Sequence, residues 1–148
     1  MTRKTPESLE AEFRELSDAL QKATAAPGKT GQAAREVLDV LSPHILLEQE
    51  FAMPPLTQIA RISRGEITPD MRRFIEKTDN FKEELPRMLH EHQLIVAALR
   101  KLMQAAAEEK QEGAAKFAQK LIQHAQLEEE ILYPAAILVG EYLRLKMG

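Results

Sequence analysis

One pattern occurs twice in this chain, 80 residues apart: His44, Glu48 and Pro54 in the first half, His124, Glu128 and Pro134 in the second. An α-helix completes a turn in about 3.6 residues, so a His and a Glu four apart share a face and aim an imidazole and a carboxylate at a common point. The repeat extends further. Leu16 falls on Ile95 and Leu20 on Leu99 at an offset of 79, so each half is a pair of helices matching the other pair. Four amphipathic helices in two related pairs have few ways to bury their apolar stripes together. The expected fold is an all-α, antiparallel up-and-down four-helix bundle with pseudo-twofold symmetry.

Helix boundaries follow from the punctuation of the chain. Thr5-Pro6-Glu7 is a helix start with Pro in the first turn, after which Leu9, Phe13, Leu16, Leu20 and Ala23 recur at spacings of three and four as far as Ala26-Pro27-Gly28. The second helix is expected from about Thr30 to a break at Pro54-Pro55, with Val37, Leu41, His44, Glu48 and Phe51 on its stripe. A long connection from Leu56 to Ile67 precedes Thr68-Pro69-Asp70, which opens the third helix. That helix carries Leu85, Leu89, His92, Ile95 or Val96, Leu99 and Leu102, with a kink expected at Pro86 and a stop near Glu112-Gly113. The fourth carries Phe117, Leu121, His124, Glu128 and Ile131, bends or breaks at Pro134 and continues as a helical tail to Leu145.

Composition agrees with this and narrows the function. A chain of 148 residues that is 44% hydrophobic suffices for one sizeable core, so residues 1–148 are expected to form a single domain. The net charge of −3 is spread over acidic and basic residues along the whole chain, which leaves no single-sign field to hold nucleic acid or an anionic membrane. No apolar run approaches the roughly 18 residues of a membrane helix, and the polar stretch Met1–Glu10 lacks a signal-like apolar segment, so a soluble cytoplasmic protein is expected. The absence of Cys excludes thiol nucleophiles, disulfides and Cys-ligated zinc or iron–sulfur centres, leaving His and carboxylates as metal ligands. Pro27-Gly28-Lys29-Thr30 imitates the end of a phosphate-binding loop, but Ala23 stands at its first Gly and no strand precedes it, so it reads as a loop and helix cap.

His92 lies on the apolar stripe of the third helix, whereas His90, two residues earlier, points roughly 160° away. Three stripes therefore deliver His44, His92 and His124, with Glu48 and Glu128, into the interior, and no Lys or Arg occupies a seam position near them. Burying two ionised carboxylates without a cation costs several kcal/mol each, a penalty that a bound metal removes. Imidazole nitrogen and carboxylate oxygen together suit iron, manganese or zinc. The ordinary alternatives are a hydrogen-bonded core role for His92 and a solvated contact for either pair, Glu128 standing in the acidic run Glu128-Glu129-Glu130. Two in-register copies on apolar stripes of matching helices weigh against both.

At these residues the chain resembles the hemerythrin-like, HHE cation-binding family over nearly its whole length. That family presents a His from its first helix, a His-x-x-x-Glu pair from its second, a His from its third and another pair from its fourth. Here Glu91-His92 is similar to the family's third-helix Glu-His, and Leu132-Tyr133-Pro134 to the end of its fourth helix. The resemblance implies a non-haem di-iron centre held by His44, Glu48, His92, His124 and Glu128 with the glutamates bridging, and activities among dioxygen or nitric oxide binding, iron sensing and repair of damaged iron centres. The departure lies in Glu12-Phe13-Arg14-Glu15-Leu16, where Phe13 occupies the position of the first-helix His. One ligand is thereby missing, and the expected centre is asymmetric, with one ion held firmly or two held unequally. Glu10, one turn earlier on a similar face, reads as a solvated first-turn acid or as a substitute reaching in for the missing ligand, and Tyr133 as packing at a helix end or as a phenol near the site.

The expected function is binding of a non-haem metal, iron by preference with zinc or manganese as alternatives, and through it binding or sensing of a small diatomic such as dioxygen or nitric oxide, or handling of iron. No general base or substrate pocket is legible, so the sequence leaves enzymatic activity open. Two rivals exist. A ferritin-like di-iron oxidase uses Glu-x-x-His, the reverse order at a different spacing. A structural or regulatory bundle with a degenerate site would make Phe13 the first sign of decay.

Overall fold

The computed structural model describes residues 4–148; Met1, Thr2 and Arg3, which begin the polar stretch expected to lack a signal segment, lie outside the described residues. Pro6 fixes the backbone ahead of α1 (Glu7–Thr24), whose first turn carries Glu7 and Glu10 against the positive end of the helix dipole. A link of three residues leads to α2 (Gly28–Leu47). The start of α2 is capped from a distance. The Glu109 carboxylate accepts hydrogen bonds from the amides of Lys29 at 3.1 Å and Thr30 at 2.7 Å, and from the Thr30 hydroxyl at 2.6 Å. Glu109 lies just past the end of α5 (Arg73–Glu108), so this one side chain ties the beginning of α2 to the end of α5 and sets the two antiparallel.

The prolines behave differently from expectation. Pro54-Pro55 does not break the second helix: α2 passes into a π-helical turn, Glu48–Ala52, and then into α3 (Met53–Leu56), with the prolines in the first turn of α3. The fourth rod repeats the arrangement, α6 (Glu112–Leu127) leading through a π turn, Glu128–Leu132, into α7 (Tyr133–Met147). In each turn the last amide before the proline bonds five residues back, Met53 to the Glu48 carbonyl and Tyr133 to the Glu128 carbonyl. A proline that follows has no N–H to lose, and the Glu50 carbonyl freed by Pro54 accepts from Lys77 Nζ at 2.9 Å instead.

The extra residue in each π turn also shifts the apolar register. Ile131, expected on the stripe, is 56% exposed, Phe51 is only half-buried, and the inward positions pass to Met53 and Tyr133. On α5, Phe81 and Met88 rather than Leu85 and Leu89 lead the stripe to His92, and Ile95 rather than Val96 continues it. The helix runs unbroken through Pro86 and stops at Glu108, earlier than expected, because Lys110 adopts φ 56° and the Gln111 amide turns back onto the Ala106 carbonyl at 2.7 Å. The long connection is partly helical, with α4 (Ile59–Ser63) and a 3₁₀ turn at Pro69–Arg72.

The rods pack in a ring, α1 against α2 and α6, and α5 against α2 and α6. Their interior is layered. One apolar layer contains Leu20, Val37, Leu41, Ile95, Leu99, Phe117 and Leu121; a second contains Met53, Phe81, Met88, Tyr133 and Ala136. Along α2, α5 and α6 the buried His and Glu residues fall between these two layers. A third cluster of Met71, Phe74, Val139 and Leu143 closes the far end, where α7 lies so near α5 that a Cβ on Gly140 would strike the Thr78 side chain. Among the described residues, no helix is long and apolar enough to cross a membrane.

Candidate metal centre

The interior brings together all five of the His and Glu residues singled out in the sequence. His44, Glu48, His92, His124 and Glu128 are each at most 5% exposed. Within the pairs, His44 Nε2 lies 3.3 Å from Glu48 Oε1 and His124 Nε2 3.5 Å from Glu128 Oε2. The pairs are joined by His92, whose Nε2 is 3.3 Å from Glu128 Oε1 and whose ring centroid is 4.6 Å from that of His44. Ligand atoms of His44, His92 and Glu128 all lie within 4.8 Å of one another, a spacing able to hold a metal ion. His90, on the opposite face, is exposed.

Each imidazole is oriented from behind by a carboxylate. Nδ1 of His44 lies 3.0 Å from Glu91, Nδ1 of His92 2.9 Å from Glu129, and Nδ1 of His124 3.0 Å from Glu12. A carboxylate only accepts, so each Nδ1 donates its proton outward and each Nε2 turns a lone pair inward. Glu12, Glu91 and Glu129 were not singled out in the sequence, yet two of them carry a repeat signal: Glu12 and Glu91 are separated by the same 79 residues that relate the first helix to the third.

Tyr133 occupies the centre. Its hydroxyl lies 3.1 Å from His44 Nε2 and 3.0 Å from His92 Nε2, and it hydrogen-bonds Glu48. Both readings for this residue hold: its ring packs in the second apolar layer against Phe81, and its hydroxyl reaches the imidazoles. Burial pushes the Tyr133 hydroxyl up from its ordinary range, with the adjoining Glu48 adding to the effect. Burial likewise pushes Glu48 up to about 8 against the Tyr133 hydrogen bond, and lowers His44 and His92 against their carboxylate partners.

Buried polar atoms without a protein partner test whether a cation fits. Glu48 Oε2, His124 Nε2 and Glu128 Oε2 are such atoms, and the last two lie 3.5 Å apart. Among the described residues no Lys or Arg pairs with Glu48 or Glu128. With both carboxylates ionised, such a cluster of buried acceptors suits a metal cation, and the mixed nitrogen and oxygen donors suit a first-row transition ion.

Phe13 reaches the centre from α1, as the repeat predicts, and meets the His124 ring edge to face with centroids 5.1 Å apart. From the imidazoles a cavity of about 590 Å³ extends between α1 and α2, walled by Phe13, Leu16, Leu20, Leu41, Phe117 and Leu121 among others. The sequence pattern of the hemerythrin HHE cation binding domain matches residues 7–136, most of the chain. The chain belongs to that family. No curated protein and no solved structure matches it. As a hemerythrin-like domain it is a cation-binding bundle, and its buried His/Glu cluster stands where the four rods of such a bundle converge.

Proposed function

We propose that this hemerythrin-like domain binds a non-haem metal, iron by preference with zinc or manganese as alternatives, through His44, Glu48, His92, His124 and Glu128. The observation that carries this reading is a buried cluster in which ligand atoms of His44, His92 and Glu128 lie within 4.8 Å of one another and Glu48 Oε2, His124 Nε2 and Glu128 Oε2 have no protein partner. When bound, the ion supplies an electrophilic, redox-active point for a small ligand. The protein's part is to fix the imidazole tautomers through Glu12, Glu91 and Glu129 and to admit an apolar molecule. The cavity beside Phe13 supports dioxygen or nitric oxide as that molecule, because it is apolar and ends on the imidazoles. Sensing such a diatomic, or handling iron itself, is the role we infer in a soluble, cytoplasmic setting.

Phe13 favours a second reading, a structural or regulatory bundle whose site has decayed. Metal analysis of protein purified without a nickel column separates the two. Iron at one or two ions per chain, with a spectrum that changes when the reduced protein meets dioxygen or nitric oxide, is the expected result. Protein that holds no iron, zinc or manganese after direct loading would overturn the metal-centre reading.

A further inference from the structure

Proton accounting at the centre assigns Tyr133 a role. With Nδ1 of His44 and of His92 each donating to a carboxylate, both Nε2 atoms present lone pairs to the same phenol oxygen at 3.1 and 3.0 Å, and Glu48 presents a third acceptor. A phenol has one proton to give. With Glu48 ionised, three acceptors around one donor leave at least two lone pairs unanswered in a fully buried place, an arrangement a cation satisfies. Tyr133 is 1% exposed, is held edge-on by Phe81, and is the residue on which the π turn closes, so its oxygen is fixed at this point.

The repeat shows that this oxygen belongs to one half only. Met53 is the counterpart of Tyr133 at the offset of 80, and Phe13 that of His92 at 79. Where α1 gives up an imidazole, α7 brings in a phenol on the side of His44 and His92. We propose that Tyr133 is itself a metal ligand, its oxygen bonding the ion held by His44, His92, Glu48 and Glu128. This rests on the metal-centre reading above. Formation of the oxygen–metal bond releases the phenol proton, and the resulting phenolate is a hard, anionic donor that favours a trivalent over a divalent ion. Three anionic oxygens on one ion hold iron in its ferric form, which orients the centre away from reversible dioxygen carriage and towards redox sensing or iron handling.

The test is spectroscopic and does not require turnover. The full chain is loaded with ferric iron, and its visible absorption and resonance Raman spectra are recorded for wild type, Tyr133→Phe and Tyr142→Phe. Tyr142 is the only other tyrosine, so it serves as the control. Wild type and Tyr142→Phe are expected to show a phenolate-to-iron charge-transfer band with enhanced tyrosinate ring modes. Tyr133→Phe should lose both while keeping its helical circular dichroism and bound iron. Iron-loaded wild type without tyrosinate modes overturns the proposal whatever the variant does, as does a band that survives in Tyr133→Phe. Wild type that takes up no metal overturns the metal-centre reading and this ligand with it, so the two failures are distinguishable.

Discussion

The Glu129 carboxylate accepts a hydrogen bond from His92 Nδ1 at 2.9 Å, and the residues that correspond to this pair in the first half of the chain are Gln49 and Phe13. The imidazole and the carboxylate that would orient it are both absent on that side. Glu12 and Glu91, by contrast, are retained as counterparts, and each still holds an imidazole, His124 and His44 respectively. The two halves therefore match in the Glu12–His124 and Glu91–His44 pairs and differ at His92–Glu129.

If the outer carboxylates set the tautomers, Glu129→Gln should weaken metal binding without unfolding the bundle. An amide in that place can donate as well as accept, so His92 Nδ1 no longer has an obligatory acceptor and the inward lone pair on Nε2 is no longer enforced. Outer partners of this kind contribute about 10- to 100-fold in metal affinity. Titration against a competing chelator checks it; unchanged affinity with a native melting curve would show that His92 is oriented by packing alone.

Metal content should depend on both His-x-x-x-Glu pairs. Glu48→Ala and Glu128→Ala are each expected to lower bound metal, whereas His90→Ala, whose side chain is exposed on the far face, should match wild type. Equal metal in all three variants, measured by elemental analysis after loading, would remove both glutamates from the ligand set.

The repeat at an offset of 80 pointed to His44, Glu48, His124 and Glu128, and the apolar stripe of the third helix to His92, because helical spacing fixes direction wherever a helix stays regular. It failed where the helix did not. Pro54 was read as a break and Pro134 as a bend or break because a proline inside an α-helix forfeits a hydrogen bond, and a π turn is the local alternative that periodicity does not display. That turn moved Ile131 out and Tyr133 in, so the sequence left Tyr133 open between packing at a helix end and a phenol near the site. Glu91, Glu129 and Glu12 were hidden for another reason: an acid beside a helical His looks solvated until the neighbouring rod that buries it is placed.

Stability of chelator-treated protein should have a defined pH dependence. Glu48 is pushed from 4.5 up to about 8, so the folded chain keeps a proton that the unfolded chain loses. This contribution is fully present below 4.5 and is lost as pH rises towards 8. His44 and His92 are lowered from 6.5, so what they contribute is present above 6.5 and lost as pH falls below it. Between pH 8 and 6.5 only the Glu48 effect operates among these groups, and stability should rise on acidification by on the order of 2 kcal/mol at most, then level or fall. Thermal melts across this range check the shape. Glu48→Gln should flatten the upper limb, and a wild-type curve already flat there would mean that Glu48 is not buried as an acid.

The pairing of Phe13 with Gln49, in place of an imidazole and its carboxylate, gives the last prediction. Restoring His alone places an imidazole on α1 opposite His124, but with Gln49 behind it no carboxylate fixes which nitrogen faces inward. Phe13→His is therefore expected to raise metal stoichiometry only partly, and to destabilise the fold by roughly 1–3 kcal/mol because Phe13 packs on the His124 ring and on the second apolar layer. Adding Gln49→Glu should do more in that background than by itself, since the new carboxylate has a partner only when residue 13 is His; the pair should be non-additive. Metal-to-protein ratios for wild type, both single variants and the double variant form the cycle. The expected order is a ratio near that of wild type for Gln49→Glu, an intermediate ratio for Phe13→His, and an approach to two ions per chain for the double variant. A double variant no better than Phe13→His alone would break the correspondence between Gln49 and Glu129, and with it the claim that the asymmetry of the centre is a matched absence of ligand and orienting acid.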